Sequence, residues 1–91
     1  MVQILLFATL REKYNTKKIE LNTSGTLEEV IKEAAEKLGE DFFYEVFDPK
    51  TGEPRTDRII MVNGRNIKHL PPNIKVNKED TIAIFPPVAG G

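Results

Sequence analysis

The side chains of this sequence offer little chemistry of their own. It has no cysteine and one histidine, His69. That removes disulfides, a thiolate metal site and a cysteine nucleophile. His69 has no acid–base constellation around it in the sequence, and a lone surface histidine is the simpler reading. No phosphate-cradling glycine loop, metal-ligand spacing or nucleophile–base pair occurs. The chain is therefore not expected to be a catalyst by itself. What remains is backbone chemistry in the closing run Phe85-Pro86-Pro87-Val88-Ala89-Gly90-Gly91.

Two prolines favour an extended backbone and cannot continue a sheet. The residues after them shrink and finish in Gly90-Gly91. A glycine carboxylate has no side chain beside its carbonyl carbon, so an attacking group can approach from either face. Gly90 adds backbone conformations closed to other residues, which suits passage through a tight slot. An acyl-adenylate or thiocarboxylate on Gly91 could enter a partner's active site while the folded part docks outside. At ordinary glycine usage this ending arises by chance in roughly 0.5% of chains, so diglycine alone is moderate evidence. Its weight comes from following Pro86-Pro87. Sulfur carried there would sit on the terminal carboxylate, because no cysteine is present to hold a persulfide.

Such a tail needs a domain to present it, expected over residues 1–85 with the tail at 86–91. Ninety-one residues at 40% apolar content allow one domain with a modest core. Val2 to Ala8 reads as a central strand contacted on both faces, with Ile4, Leu6 and Ala8 on one side and Leu5 and Phe7 on the other. Arg11 to Thr16 reads as a turn, and Lys17 to Asn22 as a half-buried strand closing an antiparallel hairpin. Thr26-Leu27-Glu28-Glu29 fits a capping box. Leu27, Val30, Ile31, Ala34, Ala35 and Leu38 then mark one face of a helix that Gly39 ends.

Gly39 to Asp57 has no clean period, although Phe42, Phe43, Tyr44, Val46 and Phe47 call for at least partial burial. Asp48 to Gly52 is a turn. Arg58 to Val62 is a strand, Asn63-Gly64 a two-residue hairpin turn, and Asn66 to Leu70 a brief return. Lys78-Glu79-Asp80 turns into the last strand, Thr81 to Phe85. One main helix on one face of a mixed sheet makes an α+β fold of two layers.

Composition narrows the partners. Thirteen basic and fourteen acidic residues are well mixed, for a net charge of −1, which argues against nucleic acid. No apolar run approaches the roughly 18–20 residues of a membrane span, and Val2 to Ala8 is too short for a signal-peptide core. A cytoplasmic location is expected.

Leu6-Phe7-Ala8-Thr9-Leu10-Arg11-Glu12, Val62-Asn63-Gly64-Arg65 and Ile84-Phe85-Pro86-Pro87-Val88-Ala89-Gly90-Gly91 together resemble the MoaD family, small subunits of molybdopterin synthase and their archaeal relatives. The resemblance covers the whole chain. It implies a ubiquitin-like β-grasp fold with the last strand beside the first, and no bound cofactor. It implies that a MoeB-like, E1-like enzyme uses ATP to adenylate Gly91, which becomes a thiocarboxylate. A MoaE-like large subunit then takes the sulfur for molybdopterin. ThiS, the thiamine-pathway carrier, shares the logic but is usually shorter and lacks the Phe-Pro-Pro ending. Small archaeal modifier proteins, joined to target lysines through the same glycine, are closer rivals. Phe42 to Asp57 departs from the compact bacterial pattern.

The resemblance also assigns partner contacts to the sheet face away from the helix. Phe7 and Phe85 are expected there, with Pro86, Pro87 and Val88 guiding the tail. Arg11 could pair with a partner carboxylate. Glu28, Glu29, Glu33 and Glu36 read as a solvated helix face.

Overall fold

In the computed structural model the capping box forms as expected. The Thr26 hydroxyl accepts from the Glu29 amide at 3.2 Å, and Glu29 accepts from the Thr26 amide at 2.9 Å. These bonds satisfy backbone groups that a helix start leaves open. The long helix runs Leu27–Leu38 and buries Leu27, Val30, Ile31, Ala34 and Ala35. Gly39 closes it at φ 123°, a backbone angle that side chains other than hydrogen rarely adopt. The structure describes residues 1–71 and 73–86. Pro87, Val88, Gly90 and Gly91, and so most of the expected tail, lie outside the described residues.

Among the described residues, seven strands and three α-helices occur in the order β1 (Val2–Leu6), α1 (Ala8–Tyr14), β2 (Lys18–Leu21), β3 (Gly25–Thr26), α2 (Leu27–Leu38), α3 (Asp41–Val46), β4 (Ile59–Val62), β5 (Arg65–Asn66), β6 (Lys75–Val76) and β7 (Thr81–Phe85), with a 3-10 turn at Ile67–His69. The main sheet has the order β2-β1-β7-β4-β5, and β3 pairs with β6 apart from it. β1 and β7 run parallel at the centre, with Leu6 opposite Ile84, and the flanking pairs are antiparallel. Asn63 and Gly64 turn the β4–β5 hairpin with φ 52° and 80°, the mirror-type turn that a twisted hairpin favours.

Helix α2 covers one face. Val2, Ile4, Leu6, Ile60, Val62, Ile82 and Ile84 meet Val30, Ile31 and Ala34 in a single core, each at most 7% exposed. Fully burying such side chains contributes about 1.5–3 kcal/mol apiece before entropy is set against it. This is the α+β, ubiquitin-like arrangement that the sequence implies. Among the described residues, no helix is long and apolar enough to cross a membrane.

Four local expectations need correction. The first strand stops at Leu6; Ala8 begins α1, so it does not share a strand face with Ile4 and Leu6. The stretch Arg11 to Thr16, expected as a turn, is largely this short helix, held by buried Leu10 and by Tyr14 packed edge-on to Phe42. Nor is β1 covered on both faces, since Gln3 and Leu5 are only half-buried. In the Phe42 to Asp57 segment, Phe42, Val46 and Phe47 are buried and Phe43 half-buried, but Tyr44 is 50% exposed. Phe42 and Val46, four residues apart, share the inward face of α3, and Tyr44, two residues from each, falls on the outer face.

Candidate functional site

The parallel register that sets Leu6 opposite Ile84 brings the next residues, Phe7 and Phe85, side by side. Phe7 keeps extended backbone angles, φ −126° and ψ 153°, so it continues the alternation of β1. Both rings therefore lie on the sheet face opposite α2. They stack at 4.3 Å between centroids and 11° between planes, and both are half-buried. The guanidinium carbon of Arg11 stands 5.5 Å from the Phe7 centroid, making a third layer. Its Nε donates to the Leu6 carbonyl at 3.2 Å, which fixes the guanidinium above the ring. Among the described residues Arg11 makes no ion pair.

The same face carries Leu5, Ala83, Met61 and Ile59. Ile59 pairs with Phe85 in the sheet and is 40% exposed. Leu5 and Met61 both stand opposite Ala83. The result is an apolar strip without a helix over it, ending at half-buried Pro86, where the chain leaves β7. Phe7, Arg11, Phe85 and Pro86 are thus brought together, although they are nearly the whole sequence apart. The expected residues Pro87, Val88, Gly90 and Gly91 lie outside the described residues.

Behind the strip runs a set of ion pairs that sequence reasoning missed. Lys13 of α1 lies 2.9 Å from Glu45 and 3.1 Å from Asp41, both on α3. Tyr14 donates to Asp41 at 3.0 Å. The other oxygen of Glu45 holds Arg58 at 2.7 Å, and the Arg58 Nε donates to the Glu45 carbonyl at 3.0 Å. Arg58 also reaches Asp57 at 3.4 Å, and Arg55 pairs with Asp57 at 2.8 Å. These contacts shift the groups. Glu45 and then Asp41 hold the Lys13 ammonium well above its ordinary pKa. Lys13 and then Tyr14 hold Asp41 below the ordinary carboxylate value. Burial pushes Glu45 up, but Lys13 and Arg58 together outweigh it and leave it lowered. Burial first, then the bond to Asp41, pushes the Tyr14 phenol up to about 12. No sequence signal exposes this network, because its members are scattered and of common surface types.

A separate cleft of about 430 Å³ lies near the start of α2, lined by Leu27, Phe47, Pro54, Ile67, Leu70 and Ile74 among others. None of the sequence-predicted site residues lines it. His69 is exposed at the end of the 3-10 turn. Among the described residues no group of three or more potential metal ligands comes together.

A sequence model of the ThiS family matches residues 4–91. No curated protein matches the chain. Small archaeal modifier protein 1 from Methanosarcina acetivorans is 30% identical, with 99% of this chain and 95% of that one covered and a TM-score of 0.78. A Pyrococcus furiosus protein assigned as molybdopterin converting factor, subunit 1, is 27% identical over 96% of this chain and 97% of its own, with a TM-score of 0.64. A chain of the BexX/CysO complex of Amycolatopsis orientalis, 22% identical with full coverage of both chains and a TM-score of 0.79, shares the fold. With the family's sequence pattern spanning all but its first three residues, the chain belongs to the ThiS family of ubiquitin-like sulfur carriers and protein modifiers.

Proposed function

We propose that this chain carries sulfur on Gly91 as the small subunit of a molybdopterin synthase. In this reading an E1-like, MoeB-like enzyme binds the open sheet face. An oxygen of the Gly91 carboxylate attacks the α-phosphorus of ATP, and pyrophosphate leaves. Sulfur at the sulfide level, supplied as hydrosulfide, then attacks the Gly91 acyl carbon and AMP leaves, giving the thiocarboxylate. A MoaE-like subunit accepts that sulfur in the cytoplasm. The chain supplies position rather than catalysis. Phe7 and Phe85 form an apolar platform, Arg11 offers a fixed cation to a partner carboxylate, and Pro86, Pro87 and Val88 are the partner-contact residues that lead to Gly90 and Gly91.

The observation that carries this reading is the Phe7–Phe85 stack at the root of the last strand. An uncovered aromatic strip of this kind marks a partner surface. Here it lies where a partner bound to the domain would also receive the tail. The likeness to the Pyrococcus furiosus protein supports the molybdopterin assignment. The test is intact-mass measurement after incubation with the activating enzyme, ATP and a sulfur donor. Exchange of one oxygen for sulfur at Gly91 is expected. The same result from a chain lacking Gly90-Gly91 would overturn the reading.

The 30% identity to small archaeal modifier protein 1 favours a second reading, conjugation of Gly91 to target lysines. Gly-Gly remnants on lysines of cellular proteins would support it. A ThiS-like role in thiamine synthesis would instead route the same thiocarboxylate to another acceptor enzyme.

A further inference from the structure

We propose that Glu45 is a positioning residue for the docking strip, and that the α3 segment exists in this chain to brace both sides of the tail's root. The proposal rests on the docking reading above and adds to it the job of a segment that reading leaves unused. Helix α1 carries Arg11, yet at seven residues it is too short to hold its shape alone. Its far end is fastened to α3 by Lys13 and Tyr14. On the other flank, Arg58 immediately precedes Ile59, the strand partner of Phe85. Arg58 therefore stands opposite the point where the chain leaves the sheet at Pro86.

Glu45 joins these two flanks through one carboxylate. Its Oε2 takes Lys13 at 2.9 Å and its Oε1 takes Arg58 at 2.7 Å. The Arg58 and Glu45 side chains are only 9% and 15% exposed, so this pair is little screened by solvent. A second bond, from the Arg58 Nε to the Glu45 carbonyl, fixes the angle between α3 and β4. The flanks of the strip are thereby held at a set spacing by a group that does not touch the strip. Arg11 is then held over Phe7 before any partner arrives, so the ordering cost is not met at binding.

The test uses Glu45→Gln and Lys13→Met in the full chain. Lys13 is half exposed, so its loss removes the contact of Glu45 with α1 without opening the core. Two readouts are taken. In the free chain, the Arg11 Nε–H proton resonance reports the bond to Leu6 and the ring below it. With the activating enzyme, ATP–pyrophosphate exchange gives KM and kcat for the chain. Both variants are expected to keep wild-type amide protection in the sheet, to shift the Arg11 resonance towards that of free arginine, and to raise KM roughly fivefold at unchanged kcat. Unchanged Arg11 signal and KM in both variants would overturn the proposal and leave Glu45 a stabilising group only. A KM change without movement of Arg11 would overturn it too, since Glu45 would then be touching the enzyme itself. If the wild-type chain is not adenylated, the docking reading fails, and the Arg11 resonance alone still decides whether Glu45 positions α1.

Discussion

Among the described residues, Ala8 is the one position with φ in the left-handed region that is neither glycine nor asparagine, at 51°. A methyl side chain there crowds the following carbonyl, at a cost of about 1 kcal/mol. Ala8 is exposed, so its methyl group gains little by packing. Ala8→Gly should therefore raise stability by about 0.5–1 kcal/mol, read as a higher urea midpoint at constant slope. A lower midpoint would mean that the angle is not strained. The strain sits between Phe7 and α1, where the chain must stop being a strand within one residue so that Arg11 can fold back over the ring. None of this is legible from the letters. Alternation put Phe7 and Phe85 on one face, but their contact depends on pairing two strands separated by most of the chain.

The capping box is the element whose sequence and structure agree most closely, because every group it uses lies within four residues. Thr26→Ala should cost about 1 kcal/mol at neutral pH by equilibrium unfolding. The Glu29 carboxyl is held below its ordinary pKa, first by the Thr26 amide and then by the Thr26 hydroxyl. A lowered pKa in the folded state gives stability that is present above the unfolded value and is lost as pH falls through the folded one. The stability gap between wild type and Glu29→Ala should thus be widest near neutrality and shrink in acid below about pH 4. A gap independent of pH would show that the carboxylate is not part of the cap. Helices α1 and α3 were less legible for a physical reason. Leu10 is the only buried residue of α1, and α3 is six residues long, so neither shows a full period. Their helicity comes from contacts such as Tyr14 against Phe42 and Lys13 with Glu45, which are tertiary and carry no local pattern.

On the scale of the molecule, the two faces of the sheet do different work. The face under α2 holds the core and tolerates little change. The open face is paved with half-buried apolar residues whose loss should cost binding more than folding. Ile59→Ser tests this division. With Ile59 already 40% exposed, stability should fall by no more than about 1 kcal/mol. The apparent affinity for the activating enzyme should fall about tenfold, measured as a raised KM in pyrophosphate exchange. An unchanged KM would place the docking surface elsewhere, and the cleft beside Leu70 and Ile74 would become the next surface to probe.

The parallel pairing of β1 with β7 has a consequence for the order of synthesis. Gln3 to Leu6 and Thr81 to Ile84, separated by most of the chain, lie side by side in the middle of the sheet. Until Thr81 to Phe85 have left the ribosome, β1 and β4 have no strand between them, and the platform under Arg11 has only one of its two rings. Contacts this distant in sequence form late. A nascent or prematurely stopped chain therefore lacks the proposed docking surface, and recognition through that surface would double as a check that translation has run at least to the root of the tail.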